Sequence, residues 1–99
     1  ANEHIKLYAA RMVTLAVARR LDEGESIRHH SSMAKVLVSE AVNQVADSAV
    51  QICGALGVSN DLPVSMILRM ARPFRIYDGA SEVHRSAIAK RVLRQHLDA

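Results

Sequence analysis

Apolar side chains recur along the start of the chain at helical spacing: Ile5, Tyr8, Met12 and Leu15 form one stripe, and Ala9, Val13 and Ala16 widen it. That period predicts an amphipathic helix over about residues 3 to 22. Asp22-Glu23-Gly24 ends it, glycine being suited to a left-handed C-terminal position. A longer helix is predicted from about Ser26 or His29 to Cys53. Val38, Val42, Val45, Ala49 and Ile52 lie on one of its faces, with Leu37 and Ala41 beside them, a surface broad enough to meet neighbours on more than one side. Gly54 and Gly57 close that helix and open a loop through Asn60. Pro63 is tolerated in the first turn of the next helix, where a missing N–H costs little, and Val64, Ile67, Leu68 and Ala71 form its apolar stripe. Arg72-Pro73 is expected to end it, because the residue before proline is pushed out of helical geometry. A last helix is predicted from about Ala80 to Leu97. Four stripes of helical period and no period-two run predict an all-α, antiparallel up-down bundle with the second helix at its centre.

Composition narrows the class. Hydrophobic residues make up 49% of the chain and aromatics 3%, a balance that favours close-packed helices over an aromatic-rich sheet. No apolar run approaches membrane-spanning length, and no repeat, low-complexity tract, linker or targeting signal is present. Cys53 is the only cysteine, which excludes an internal disulfide and points to a reducing, intracellular compartment. The net charge of +3 raises nucleic-acid binding as a function. The basic residues are spread over several segments, however, and no aromatic side chains interleave with Arg85, Lys90, Arg91 and Arg94 of the last helix to stack bases.

The residues with most chemical content are Arg75-Ile76-Tyr77-Asp78-Gly79-Ala80-Ser81-Glu82-Val83-His84-Arg85, a carboxylate at a glycine-marked bend just before an amphipathic helix. Two readings of Asp78 are open from these residues alone. It caps the helix, as Asp before a helix often does. Alternatively it is a general base, close to unpaired N–H groups and the positive end of a helix dipole that favour an anionic ligand or a developing oxyanion. Glu82, four residues on, suits the first helical turn, where its charge favours the N-terminus. His29 and His30 are adjacent and therefore point about 100° apart on a helix, a poor arrangement for one metal. No His/Cys/Asp/Glu group has recognisable metal spacing.

The bend and helix resemble the C-terminal signature of acyl-CoA dehydrogenases, Tyr-Glu-Gly-Thr-Ser-Glu/Gln-Ile-Gln-Arg, in which the Glu is the base that removes the α-proton of the acyl thioester. Gln51-Ile52-Cys53-Gly54-Ala55-Leu56-Gly57 resembles the same family's Gln-Ile-Leu-Gly-Gly-x-Gly. Asp61-Leu62-Pro63-Val64 and Ala10-Arg11-Met12 match further segments in the same order, so the resemblance runs from about residue 9 to the end. It implies that residues 1–99 are a C-terminal α-helical fragment, with the family's N-terminal helical and middle β domains absent from this chain, and that the fragment alone is inactive.

Residue by residue, the resemblance implies that Asp78 is the base and that Tyr77 and Gly79 lie against the acyl substrate. Ala80, Ser81 and Glu82 match residues that contact flavin adenine dinucleotide (FAD). Gln51, Ile52, Cys53, Gly54 and Ala55 match the segment that reaches the FAD of a neighbouring subunit. Three positions depart from the pattern: Asp78 replaces Glu and is one methylene shorter, Ala80 replaces Thr, and Ala55 replaces Gly. Asp at the base position is similar to a subgroup of dehydrogenases fused to kinase-like domains, and some members take their base from an upstream helix instead.

The implied reaction is α,β-dehydrogenation of an acyl-CoA to a 2-enoyl-CoA with FAD as hydride acceptor. The implied partners are the acyl-CoA substrate, further copies of the chain in a dimer or tetramer, and an electron-transfer flavoprotein as candidate acceptor, with neither nucleic acid nor a membrane span. The bacterial cytoplasm is the favoured location, with mitochondrion and peroxisome as alternatives. The competing class is a non-catalytic helical oligomerisation or interaction module of the same fold.

Overall fold

The longest helix organises everything else. In the computed structural model, which describes residues 1–99, α1 (Asn2–Asp22) runs into α2 (Arg28–Cys53) through a short turn in which Gly24 takes a φ of +78°. A 3₁₀ turn at Gly54–Leu56 and a loop lead to α3 (Val64–Ala71), a second 3₁₀ turn at Arg72–Arg75 follows, and α4 (Ser81–Leu97) completes the chain. The 26 residues of α2 span roughly 39 Å at 1.5 Å each. α1, α3 and α4 each pack against it.

The contacts run antiparallel. Asn43 of α2 meets Ala71 of α3, and one groove pairs Val42 to Ala49 with Val64 and Ile67. On the other half of α2, Ser32 meets His84 and Glu40 meets Ser81. Thus α3 covers the C-terminal half of α2 and α4 the N-terminal half, and the bend between them crosses the middle of α2. The molecule is correspondingly elongated, 54 × 25 × 23 Å.

An all-α architecture with α2 at its centre matches the periodicity. Burial does not follow the apolar stripes. The most deeply buried side chains are small or polar: Ala10, Ser39, Ala41, Asn43, Ala46, Ala71 and Ser81. Small residues let neighbouring helices approach α2 closely. Asn43 sits among them with its Nδ2 donating to the carbonyl oxygens of Ser39 (2.8 Å) and Ala71 (3.0 Å), which uses both of its N–H bonds and ties the end of α3 to α2, while its Oδ1 is buried without a partner.

α1 corrects the expected stripe most clearly. Ala10 is 5% exposed and faces α2, whereas Ile5, Tyr8 and Leu15 are 63%, 62% and 53% exposed. At about 100° per residue these apolar side chains lie on the opposite side of the helix from Ala10. On α2, Ile52 and Leu37 are likewise exposed.

Proline does not end helical geometry where expected. α3 stops at Ala71, but Arg72 keeps φ −55° and ψ −42°, and the chain continues into the 3₁₀ turn with Pro73 in its first turn. An N–H there has no helical partner to lose. No helix is long and apolar enough to cross a membrane.

Candidate active site

The bend that leaves Arg72–Arg75 brings the predicted site to the middle of α2. Asp78 has φ +52° and Gly79 φ +88°, two consecutive left-handed residues. Asp tolerates this region better than most side chains. Gly79 is required twice over, because a Cβ there would also lie 2.6 Å from His84 Nε2. Ala80 then returns to extended geometry and is the N-cap of α4, with no side chain capping the helix.

That assignment decides between the two readings of Asp78 as far as capping goes. Asp78 precedes the N-cap by two residues, takes part in none of the chain's ion pairs, and is exposed. Its carboxylate is free. Beside it, the first-turn N–H groups of α4 lack helical acceptors and carry the positive end of the helix dipole.

Side chains from other elements hold the bend. Lys35 Nζ, on α2, donates to the carbonyl oxygens of Phe74, Tyr77 and Gly79 at 2.5, 2.9 and 2.8 Å. The Tyr77 ring lies 5.3 Å from that of Phe74, with the Lys35 ammonium 5.9 Å from its centre. His84 Nε2 lies 3.0 Å from the Asp78 carbonyl oxygen and its Nδ1 3.1 Å from Ser32 Oγ. A carbonyl can only accept, so Nε2 carries the hydrogen of that contact.

A second anchor lies one turn further along α2. Glu40 Oε1 accepts from Ser81 Oγ at 2.8 Å and from Arg75 Nε at 3.0 Å, with Arg85 Nη2 at 3.7 Å. Burial alone would raise the Glu40 carboxyl. The Ser81 and Arg75 hydrogen bonds and the charges of Arg75 and Arg85 outweigh it and hold the carboxyl below its ordinary value of 4.5.

Lys35, Glu40, Ser32 and His84 escape a motif-based reading. The available signal is weak: Lys35 and Glu40 are the two charges in the otherwise apolar or small run from Met33 to Val42.

The predicted site residues divide into two places. Tyr77, Asp78, Gly79, Ala80, Ser81 and Glu82 share the bend and the start of α4. Gln51, Ile52, Cys53, Gly54 and Ala55 lie at the far end of α2, sixteen residues beyond Lys35, or roughly 24 Å along the helix. Most of that segment is exposed, Ile52 at 81%. Ser81 is 1% exposed and its hydroxyl is committed to Glu40, so it faces the bend through its backbone.

Residues 1–93 match the family model described as acyl-CoA dehydrogenase, C-terminal domain. The chain belongs to that family. Among its relatives, (R)-benzylsuccinyl-CoA dehydrogenase of Thauera aromatica is 35% identical over 94 residues, which are 94% of this chain and 23% of that protein. Acyl-CoA dehydrogenase family member 11 of Gallus gallus is 39% identical over 88 residues, 87% of this chain and 11% of the relative. The structure of butyryl-CoA dehydrogenase from Megasphaera elsdenii superposes with a TM-score of 0.87 at 30% identity, covering 91% of this chain and 24% of that one. The chain therefore spans about a quarter or less of the length of these proteins.

Members of the acyl-CoA dehydrogenase family are FAD flavoproteins. The donor set at the bend fits such a group: the uncapped start of α4 offers backbone N–H groups to acceptor oxygens, and Ala80 places no side chain polar atom in the way. No group of three or more His, Cys, Asp or Glu side chains could hold a metal ion.

Proposed function

We propose that this chain is the C-terminal part of a flavin-dependent acyl-CoA dehydrogenase in which Asp78 removes the α-proton of the acyl thioester, leading to a 2-enoyl-CoA. The observation that carries the reading is the free Asp78 carboxylate on a left-handed bend, held from behind, beside the uncapped N-terminus of α4.

Each part of the bend has a task under this reading. Asp78 accepts the proton at its carboxylate, and its basicity rises once the rest of the protein excludes water. Backbone N–H groups near Asp78 and Gly79 stabilise charge developing on the thioester oxygen. Tyr77 walls the acyl chain. Backbone at Ala80, Ser81 and Glu82 holds the flavin, which when bound supplies hydride acceptance. The Asp in place of the family's Glu supports a reading with the Asp-bearing subgroup, and the shorter side chain makes the backbone position of residue 78 decisive for reach.

Gln51 to Ala55 lie too far from the bend to serve the same end of one cofactor. Their exposure and their distance support a role toward the FAD of a second copy, hence a homodimer or tetramer. An electron-transfer flavoprotein is the proposed electron acceptor. A second reading, a non-catalytic helical module, draws on the outward apolar face of α1. Stoichiometric flavin in the purified full-length protein would dismiss it.

The test of the base is Asp78→Asn in the full-length, flavin-loaded protein. Anaerobic bleaching of the flavin by an acyl-CoA that the wild type accepts is expected to slow at least about a hundredfold, the lower range for loss of a general base. Flavin content should stay the same. Undiminished bleaching would move the base to another part of the protein.

A further inference from the structure

Three consecutive peptide groups around Asp78 are pinned by side chains rather than by the backbone. Neither the Tyr77 nor the Gly79 carbonyl receives a hydrogen bond from any backbone N–H. Lys35 donates to both, His84 donates to the carbonyl between them, and Lys35 reaches back to Phe74 as well. An ammonium has three N–H bonds, and all three are used. A lysine free to choose would leave its head in water, which makes this convergence of three carbonyls a specific arrangement.

Fixing the peptide planes on either side of a residue fixes its φ and ψ, and with them the direction of its Cα–Cβ bond; at residue 78 Lys35 holds the plane before it and His84 the plane after it. At residue 78 that matters more than elsewhere. The conformation is left-handed, which an aspartate adopts only against a steric cost. The side chain is also short, so few torsions remain to correct a misdirected carboxylate.

We propose that Lys35 is a positioning residue for proton abstraction: by holding the carbonyls of Phe74, Tyr77 and Gly79 it sets the line along which the Asp78 carboxylate reaches the α-carbon of an acyl thioester. This assignment rests on the reading of Asp78 as the base. Lys35 touches neither substrate nor reacting atoms, and it acts only through the backbone of the bend.

The experiment uses the full-length, flavin-loaded protein and four variants: Lys35→Met, Lys35→Arg, Asp78→Asn and the Lys35→Met/Asp78→Asn double. Flavin bleaching by an accepted acyl-CoA is followed anaerobically, giving the limiting rate and the acyl-CoA dissociation constant separately. Lys35→Met is expected to lower the limiting rate roughly tenfold to a hundredfold, the loss that follows a displacement of about 1 Å at a reacting group. The dissociation constant should change by less than about threefold, because the interaction acts in the transition state. Lys35→Arg keeps the charge but presents a flat fork that cannot converge on three carbonyls, so it should not restore the rate. In the Asp78→Asn background Lys35→Met should cost nothing further.

A wild-type rate in Lys35→Met overturns the proposal, and so does an equal loss in both backgrounds, which would mark a general disturbance of the domain. If Lys35→Met fails to fold or to hold flavin, Lys35→Arg carries the test. A wild-type rate in it, or loss of flavin there too, likewise overturns the proposal. Undiminished bleaching in Asp78→Asn is a different failure, since it removes the base itself whatever Lys35 does.

Discussion

The Glu40 carboxylate accepts the Ser81 hydroxyl at 2.8 Å, joining the middle of α2 to the first residue of α4 across 41 positions of sequence. Ser81 is buried, and Glu40 is 19% exposed at its side chain, so the contact is shielded enough to count toward stability. Ser81→Ala should lower the unfolding free energy by about 1.5 to 3 kcal/mol, the range for a hydrogen bond to a charged group. Denaturant unfolding of the folded protein would show the loss, and an unchanged midpoint would assign the start of α4 to packing alone.

The same carboxylate makes stability depend on pH. Its folded-state value lies below 4.5, so the unfolded chain takes up this proton first as pH falls. The stabilisation is therefore fully present above about pH 5 and is lost as pH drops through the carboxylate range. Melting temperatures of wild type and Glu40→Gln, measured from about pH 3 to pH 7, should differ near neutrality and converge at the acid end. Parallel curves across the range would show that Glu40 contributes no proton linkage.

Gly79 is constrained by its backbone and by its neighbour. Gly79→Ala introduces a methyl group that would meet His84 Nε2 at 2.6 Å, in a backbone conformation with φ +88°. A loss of about 1 to 3 kcal/mol is expected from the left-handed geometry and the clash together. Added to His84→Ala, which itself loses the ring's contacts with Ser32 and the Asp78 carbonyl, Gly79→Ala should cost less than it does in the wild type but not nothing, because the backbone penalty remains. No cost in that background would mean the clash is the whole effect.

Asp78→Asn should be silent in stability, within about 0.5 kcal/mol of wild type, because Asp78 neither caps α4 nor pairs with a cation. Asn is also at ease in left-handed geometry. Asp78→Val, with a β-branched side chain at φ +52°, should be clearly destabilised. Equal melting of the two variants would show that the bend relaxes away from its left-handed form.

Helix positions, the stop at Gly24 and the bend at Gly79 were legible along the chain because each depends on residues within a turn of one another, whereas whether Asp78 caps α4 was decided only by Ala80 being the N-cap. The motif around Asp78 was legible for the same reason: its carboxylate, glycine and helix start are contiguous. Burial was not. Ile5, Tyr8 and Leu15 make the better apolar stripe on α1, yet Ala10 on the opposite side faces α2, because a small side chain allows two helices to approach closely and periodicity says nothing about which neighbour a face will meet.

The support of the bend belonged to tertiary structure altogether. Lys35 is separated from the carbonyls it holds by 39 to 44 residues, and Glu40 from Arg75 and Ser81 by 35 and 41. A lysine on one helix and a carbonyl in a later loop carry no mark of each other in the sequence. They meet because α3 and α4 lie in series along α2 and bring the intervening bend across its middle, where the Lys35 ammonium is the donor that its carbonyl oxygens find.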